Sequence, residues 1–489
     1  MATAFWSTMT AVGNRARTAA VRVAVALLAV AALVLTGCGH TGWGRPGQPL
    51  DGVGSSPSAG RGGPSDAVPV PPAAVQGGTG TSSDRLAATV VAGVEGYWRE
   101  RFPVEFGRRW VNIHGFHAVD PKDAATPVPC VRRALDLAEQ AAYCPRLDTV
   151  AWDRTGLLPR LREEYGDGAV LVALAHEIGH AVQDRLDIDV GYQVREPDRF
   201  PTILLEGMAD CFAGVVVRAA VDGGVAGVRL APAELDRSLS ALLSFRDPVG
   251  MTAGGNAHGD AFDRASAFLD GYGDGDGARR CATMSVRTQT FTQRGFSSAS
   301  DAATGGTLPV AELLEAMVPD ARAWFGRLVS DRGRPWRAPD LAVGSAGCSG
   351  AAGVQGPVRY CAKDGTLSAS VDQLAAVHYA RGDYAGGELV ASRYALAAVG
   401  ALGRPVRGAE AGRTAVCLTG AYTRALFDRG AGTGFGLSPG DIDEAVDELI
   451  NQDLAARDAA GRAPEGDLGF RRIEQFRAGA LGGPAGCGV

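Results

Sequence analysis

His176-Glu177-Ile178-Gly179-His180, followed by Glu206 and Asp210 in Leu205-Glu206-Gly207-Met208-Ala209-Asp210-Cys211, governs how the rest of this chain is read. Apolar Val170, Leu171, Leu174, Ile178, Ala181 and Val182 recur at spacings of three and four, which predicts a helix with Gly179 as its one weak former. On a helix, residues four apart share a face, so His176 and His180 converge on one cation and Glu177 projects beside them toward its water. Catalytic zinc takes three protein ligands and keeps one position open, so a third ligand must come from elsewhere, and Glu206 is the candidate. Asp210 lies one helical turn beyond Glu206, where it can accept the second ring N–H of a ligand histidine. The plain alternative is two surface histidines on an amphipathic helix. It loses ground because the chain has only seven histidines in 489 residues.

The start of the chain says where such a site works. Arg15, Arg17 and Arg22 precede an apolar run from Val23 to Leu35, the pattern of an export signal over residues 1–37 rather than of a fold element. The run is too short to cross a bilayer comfortably. Leu35-Thr36-Gly37-Cys38 resembles the bacterial lipobox, whose cysteine is acylated after cleavage, so Cys38 is the candidate lipidation site. A plain signal peptide ending near a cysteine is the alternative. Residues 38–84 are rich in Gly, Pro and Ser, and read as a flexible tether with a reach of roughly 35 to 40 Å. The expected location is the outer face of a cell membrane, anchored by the N-terminal lipid.

Composition agrees with an exported globular protein: 46% hydrophobic, 21% charged and a net charge of −6, which offers no basic footprint for nucleic acid. Lys122 and Lys363 are the only lysines beside many arginines, a bias that fits a GC-rich bacterial genome. Beyond Cys38 there are eight cysteines, an even number that predicts disulfides in an oxidising compartment.

Those cysteines repeat in order and spacing. Cys130 and Cys144 are answered by Cys348 and Cys361, and the stretch from Cys211 to Cys281 equals that from Cys417 to Cys487. Trp98 and Trp110 are spaced as Trp324 and Trp336 are, and Tyr143-Cys144 is answered by Tyr360-Cys361. Arg264, Phe268 and Gly271 match Arg472, Phe476 and Gly479. Self-similarity of this kind predicts two copies of one domain, 85–285 and 308–489, joined by a linker at 286–307. Four pairings follow, one short and one long in each copy, and each long loop contributes about 4 kcal/mol in the chain-entropy model. The second copy lacks the chemistry. Tyr394, Ala395 and Ala398 stand where His176, Glu177 and His180 do, and Gly412 and Val416 replace Glu206 and Asp210. One zinc per chain is therefore expected, with the second copy metal-free.

The first copy resembles the bacterial neutral zinc metallopeptidases over roughly residues 85 to 285. The resemblance rests on Tyr143-Cys144-Pro145 with Asp153, on His176 through Gln183, on Ala209 through Gly214, and on His258-Gly259 followed by Arg264 and Phe268. It departs from that family at Glu206-Gly207-Met208 and in carrying an inactive twin. The resemblance implies a zincin-like domain and zinc-assisted hydrolysis of a peptide amide, with His176, His180 and Glu206 as ligands and Glu177 as general base.

His258 is a candidate donor to the transition state, or else the cap of the helix that follows it. Tyr192 is a weaker candidate, and His114 with His117 could form a second metal site. The expected fold is α+β and predominantly helical. Helices are expected at 85–100, around the zinc and Glu206 motifs, and at 233–245 and 260–272, with strands at Arg109–Phe116, Thr149–Asp153 and Val286–Thr292. A rival reading is a lipid-anchored interaction scaffold with a vestigial or structural metal site, against which Glu177 argues, since a structural site needs no base. A cell-wall peptide is as compatible with the sequence as a protein substrate, and oligomeric state is not legible.

Overall fold

Thr81 starts the first long helix. Its hydroxyl accepts the Asp84 N–H at 3.1 Å and the Asp84 carboxylate accepts the Thr81 N–H at 3.1 Å, a reciprocal box that satisfies two orphan donors. Helix α1 (Ser82–Phe106) ends at Gly107, in the left-handed conformation that favours glycine. The computed structural model describes residues 75–188, 195–253, 257–273, 275–344, 348, 354–429 and 434–489. The signal segment, Cys38, most of the tether and Tyr192 lie outside the described residues.

Strand β1 (Val75–Gln76) pairs in parallel with β2 (Gly115–Val119), so the folded part begins earlier than residue 85. β2 runs parallel to β4 (Thr149–Asp153), whose far edge carries β3 (Ala141–Cys144) antiparallel. Phe116, Val150 and Trp152 point into the main core, and Val119 and Ala151 face a small cluster closed by Ala134 and Leu137. Helices α2 (Leu157–Tyr165), α3 (Asp167–Arg185), α4 (Thr202–Val221), α5 (Leu235–Leu243), α6 (Ala261–Tyr272) and α7 (Gly277–Ala282) follow. α3 packs on α1, α2, α4 and α5. Burial is near complete along α3 and α4, which explains apolar patterns too broad for a surface helix.

After the short α8 (Ala299–Thr304) and α9 (Val310–Ser330), a second sheet orders β5 (Leu341–Val343), β7 (Thr366–Ala369) and β6 (Val358–Cys361). β5 is parallel to β7, and β6 antiparallel to it, the same relations that β2, β4 and β3 have. Helices α10 (Val371–Arg381), α11 (Asp383–Ala401), α12 (Ala409–Arg429), α13 (Asp441–Asn451) and α14 (Gly469–Gly486, kinked at Gly483) complete the chain. The protein is α+β and predominantly helical. Among the described residues no helix is long and apolar enough to cross a membrane.

All four disulfides follow the expected pairing: Cys130–Cys144, Cys211–Cys281, Cys348–Cys361 and Cys417–Cys487, with sequence separations of 14, 70, 13 and 70. Cys211 is thereby excluded as a metal ligand. One strand expectation is met only at its end and another fails: of Arg109–Phe116, only Gly115 and Phe116 join a strand, β2. Ile113 donates its N–H to the Glu95 carboxylate on α1 at 2.6 Å, so the stretch before Gly115 is pinned to a helix side chain and pairs with no strand. Val286–Thr292 forms no strand either. Its end is anchored by the Asp263 carboxylate, which accepts the Thr292 N–H at 2.7 Å, so the alternation reflects side-chain docking rather than a ladder.

Asp84 also receives the Arg154 guanidinium, at 3.1 and 2.9 Å, which ties α1 to the end of β4. Burial alone would raise this carboxyl; Arg154 and the Thr81 and Thr79 N–H groups outweigh it and hold the pKa at about 2. A depressed folded-state pKa gives stability that is present above the ordinary carboxylate value and lost as pH falls through the folded one. Wild-type protein is therefore expected to lose on the order of 2 kcal/mol more than Asp84→Asn between pH 4 and pH 2. Parallel acid melts of the two proteins check this, and identical slopes would contradict it.

Candidate metal centre

Gly179 brings the two motif helices together. A Cβ there would lie 2.8 Å from the Ala209 carbonyl oxygen and 3.0 Å from its Cα, so α3 crosses α4 at a distance only glycine allows. The crossing sets Glu206 of α4 against both histidines of α3. His176 Nε2 is 3.2 Å from Glu206 Oε2, and His180 Nε2 is 3.6 Å from Glu206 Oε1. The two rings stand perpendicular with centroids 4.9 Å apart. Donor atoms of His176, His180 and Glu206 all lie within 4.8 Å of one another, and together they can hold a metal ion.

Each imidazole is oriented from behind. His176 Nδ1 is 2.7 Å from Asp210 Oδ1, and Asp210 is fully buried. His180 Nδ1 is 3.1 Å from Gln183 Oε1, while Gln183 donates to the Leu205 carbonyl at 2.5 Å. With both Nδ1 atoms engaged, the Nε2 lone pairs are the ones left to face Glu206. Asp210 in turn holds buried Arg264 through two bonds, Nε to Oδ2 at 3.0 Å and Nη2 to Oδ1 at 2.8 Å. Arg264 also donates to the Phe245 carbonyl at 2.9 Å.

Electrostatics favour positive charge at this point. Burial opposes protonation of His176, but Asp210 and then Glu206 outweigh it and hold the imidazole at about 10. His180 is raised too, burial again being overcome by Glu206. Against its own burial, Glu206 is held well below the usual carboxylate range by His180 and His176. Two nitrogen donors, both supported from behind, and one carboxylate fit zinc.

Glu177 sits on the neighbouring flank of α3, and its Oε2 accepts the Tyr143 N–H of β3 at 2.8 Å. Tyr143 is itself fixed: its hydroxyl donates to Asp148 at 2.9 Å and accepts from Arg185 at 3.1 Å. His258 lies in a small cleft with Ile203, Leu204, Gly207, Met284 and Phe291. Asp247 accepts the His258 N–H at 2.6 Å, and its other oxygen lies 3.2 Å from His258 Nδ1. That carboxylate raises the His258 pKa against burial, and Gln293 supports it at 2.9 Å. Helix α6 is capped by Asp260, which accepts the Asp263 N–H at 2.9 Å, so capping is not the role of His258.

His114 and His117 join no group able to hold a metal among the described residues. A second such group does exist, Asp383, Asp441 and Glu444, but it contains oxygen donors only. Its members serve backbone amides: Asp383 accepts from Leu308 at 2.9 Å, Asp441 from Ser438 at 2.7 Å and Glu444 from Tyr384 at 2.7 Å. It also lies apart from the positions aligned with the first site. There, buried Tyr394 donates to the Pro339 carbonyl at 3.3 Å, and a Cβ on Gly412 would sit 1.9 Å from the Ala456 carbonyl oxygen. Buried Arg393 pins that backbone by donating to the carbonyls of Leu454, Ala455 and Arg457 at 2.7 to 2.9 Å.

Asp247, and the roles of Gln183, Arg264 and the Tyr143 amide, are not read from the sequence. Gln183 offers a signal, three residues beyond His180 on one helical face; Asp247 offers none, because a loop carries no period. No family model, no curated protein and no solved structure matches this chain.

Proposed function

We propose that this protein is a zinc-dependent peptidase similar to the bacterial neutral zinc metallopeptidases, with one zinc per chain held by His176, His180 and Glu206. The observation that carries the reading is the inward convergence of two Nε2 atoms on Glu206 while Asp210 and Gln183 occupy both Nδ1 atoms. Glu177 turns a metal site into a candidate active site. Zinc, when bound, supplies Lewis acidity and makes water nucleophilic near neutral pH. Glu177 takes the proton of the attacking water and returns it to the leaving amine. The Tyr143 N–H fixes one Glu177 oxygen, which leaves the other to carry that proton. His258, oriented through Nδ1 by Asp247, offers Nε2 to the charge that develops on the substrate carbonyl. The test is a peptide library against purified protein: cleavage is expected, lost with a chelator and regained on adding zinc. No cleavage of any peptide, with zinc bound, would oppose the reading.

We also infer a tandem duplication whose second copy is metal-free. Strand order, disulfides and helix order support it, and so do two pairs of glycine contacts. A Cβ on Gly214 or Gly271 would meet the Phe268 or Cys211 carbonyl, and one on Gly420 or Gly479 would meet the counterparts in Phe476 and Cys417.

For location, we propose export and acylation at Cys38, which places the site near a membrane and makes envelope proteins or cell-wall peptides its substrates. Cys38→Ser is expected to move the protein from the membrane fraction to the soluble one. Wild-type protein found wholly in the cytosol with Met1 retained would contradict this.

A further inference from the structure

One pair of equivalent residues links the two halves: Asp236, in Pro232-Ala233-Glu234-Leu235-Asp236, and Asp443, in Pro439-Gly440-Asp441-Ile442-Asp443. Asp236 on α5 accepts the N–H groups of Gly469 and Phe470, at 2.7 and 2.8 Å, and so caps α14 of the other half. Its counterpart Asp443 on α13 accepts the Ala261 N–H at 2.8 Å and caps α6 in return. Aromatic rings also meet across the halves: Phe262 lies 6.1 Å from Phe476, and its counterpart Phe470 lies 4.6 Å from Tyr272, one helical turn beyond Phe268. Such exchange is the mark of an isologous interface, here within one chain.

The exchange is symmetric in form and unequal in consequence. α14 leads to no metal ligand, whereas α6 carries Arg264, which holds Asp210, which holds His176. Asp443 does more than cap α6, because its second oxygen also lies 3.3 Å from Arg246 Nε. Arg246 and Ala261 bracket the segment that contains Asp247 and His258. One carboxylate from the metal-free half therefore grips both ends of the segment beside the centre, and the first turn of the helix behind it.

We propose that Asp443 is a positioning residue for the metal centre, and that the second half acts as its scaffold through the series Asp443, α6, Arg264, Asp210 and His176. The inference rests on the zinc reading above. Cutting a partner behind a metal ligand typically lowers affinity 10- to 100-fold, and Asp443 is more remote, so about tenfold is expected.

Asp236 supplies the matched control, since it caps a helix across the same interface without touching this series. The experiment measures zinc affinity by chelator competition and Tm for the full-chain wild type, Asp443→Ala, Asp443→Asn and Asp236→Ala. Asp443→Ala and Asp236→Ala are expected to lower Tm alike, with zinc affinity reduced about tenfold only in Asp443→Ala. Asparagine keeps an oxygen that accepts the Ala261 N–H and gives up only the Arg246 contact, so Asp443→Asn should restore most of the affinity. A cobalt-loaded sample should show the same order in its visible spectrum, altered in Asp443→Ala and unaltered in Asp236→Ala. Equal zinc affinity in the two alanine variants overturns the scaffold role while leaving the zinc site intact. A wild type that binds no zinc removes both. If Asp443→Ala does not fold, hydrogen exchange on the wild type decides: zinc must slow exchange in Asp441–Asn451, because coupling between sites is reciprocal. Unchanged exchange there overturns the proposal.

Discussion

Glu177→Gln is expected to bind zinc as tightly as the wild type and to hydrolyse peptides about 10²- to 10⁴-fold more slowly. Glutamine keeps the shape of the side chain, and its carbonyl oxygen still accepts the Tyr143 N–H. Its amide cannot take a proton from water and return it to the leaving amine. Because Glu177 belongs to none of the donor pairs around Glu206, the metal should stay. A fall in kcat with little change in KM is the kinetic signature. Retained activity in this variant would remove Glu177 as the base.

His180→Ala is expected to act on the metal itself. It deletes one of two nitrogen donors and leaves Gln183, now without its imidazole partner, held to the Leu205 carbonyl. The loss of affinity should exceed the 10- to 100-fold that follows from removing a hydrogen-bond partner behind a ligand. Activity should vanish at stoichiometric zinc and return in part, if at all, only at large excess. The fold should survive, since α3 is held by an apolar surface that includes Leu171, Leu174, Ile178 and Val182. Zinc content and far-UV circular dichroism on one preparation separate loss of metal from loss of fold.

How much of this was legible in advance depended on whether the signal had a period. The α3 and α4 helices announced themselves through apolar spacing and a fixed ligand spacing, and Asp210 fell against His176 because one helical turn separates it from Glu206. Disulfide pairing was legible because the cysteine spacing repeats, although no single spacing dictates a partner. Val286–Thr292 alternates like a strand and Arg109–Phe116 reads as one, yet the first is pinned by Asp263 and the second, up to Gly115, by Glu95, contacts made by side chains distant in sequence. Asp247 belongs with these. It reaches His258 across a loop, and only the folded chain brings the two together. The contact between halves was hidden for the same reason: Asp236 and Asp443 are visible as counterparts, but not as caps on each other's helices.

The most direct test of the central claim is the zinc content of the purified full-length protein, set beside that of Glu206→Ala. One zinc per chain in the wild type, and substantially less in the variant under the same chelator challenge, is the expected result. No zinc in the wild type, two per chain, or one per chain that is indifferent to the loss of Glu206, would contradict it.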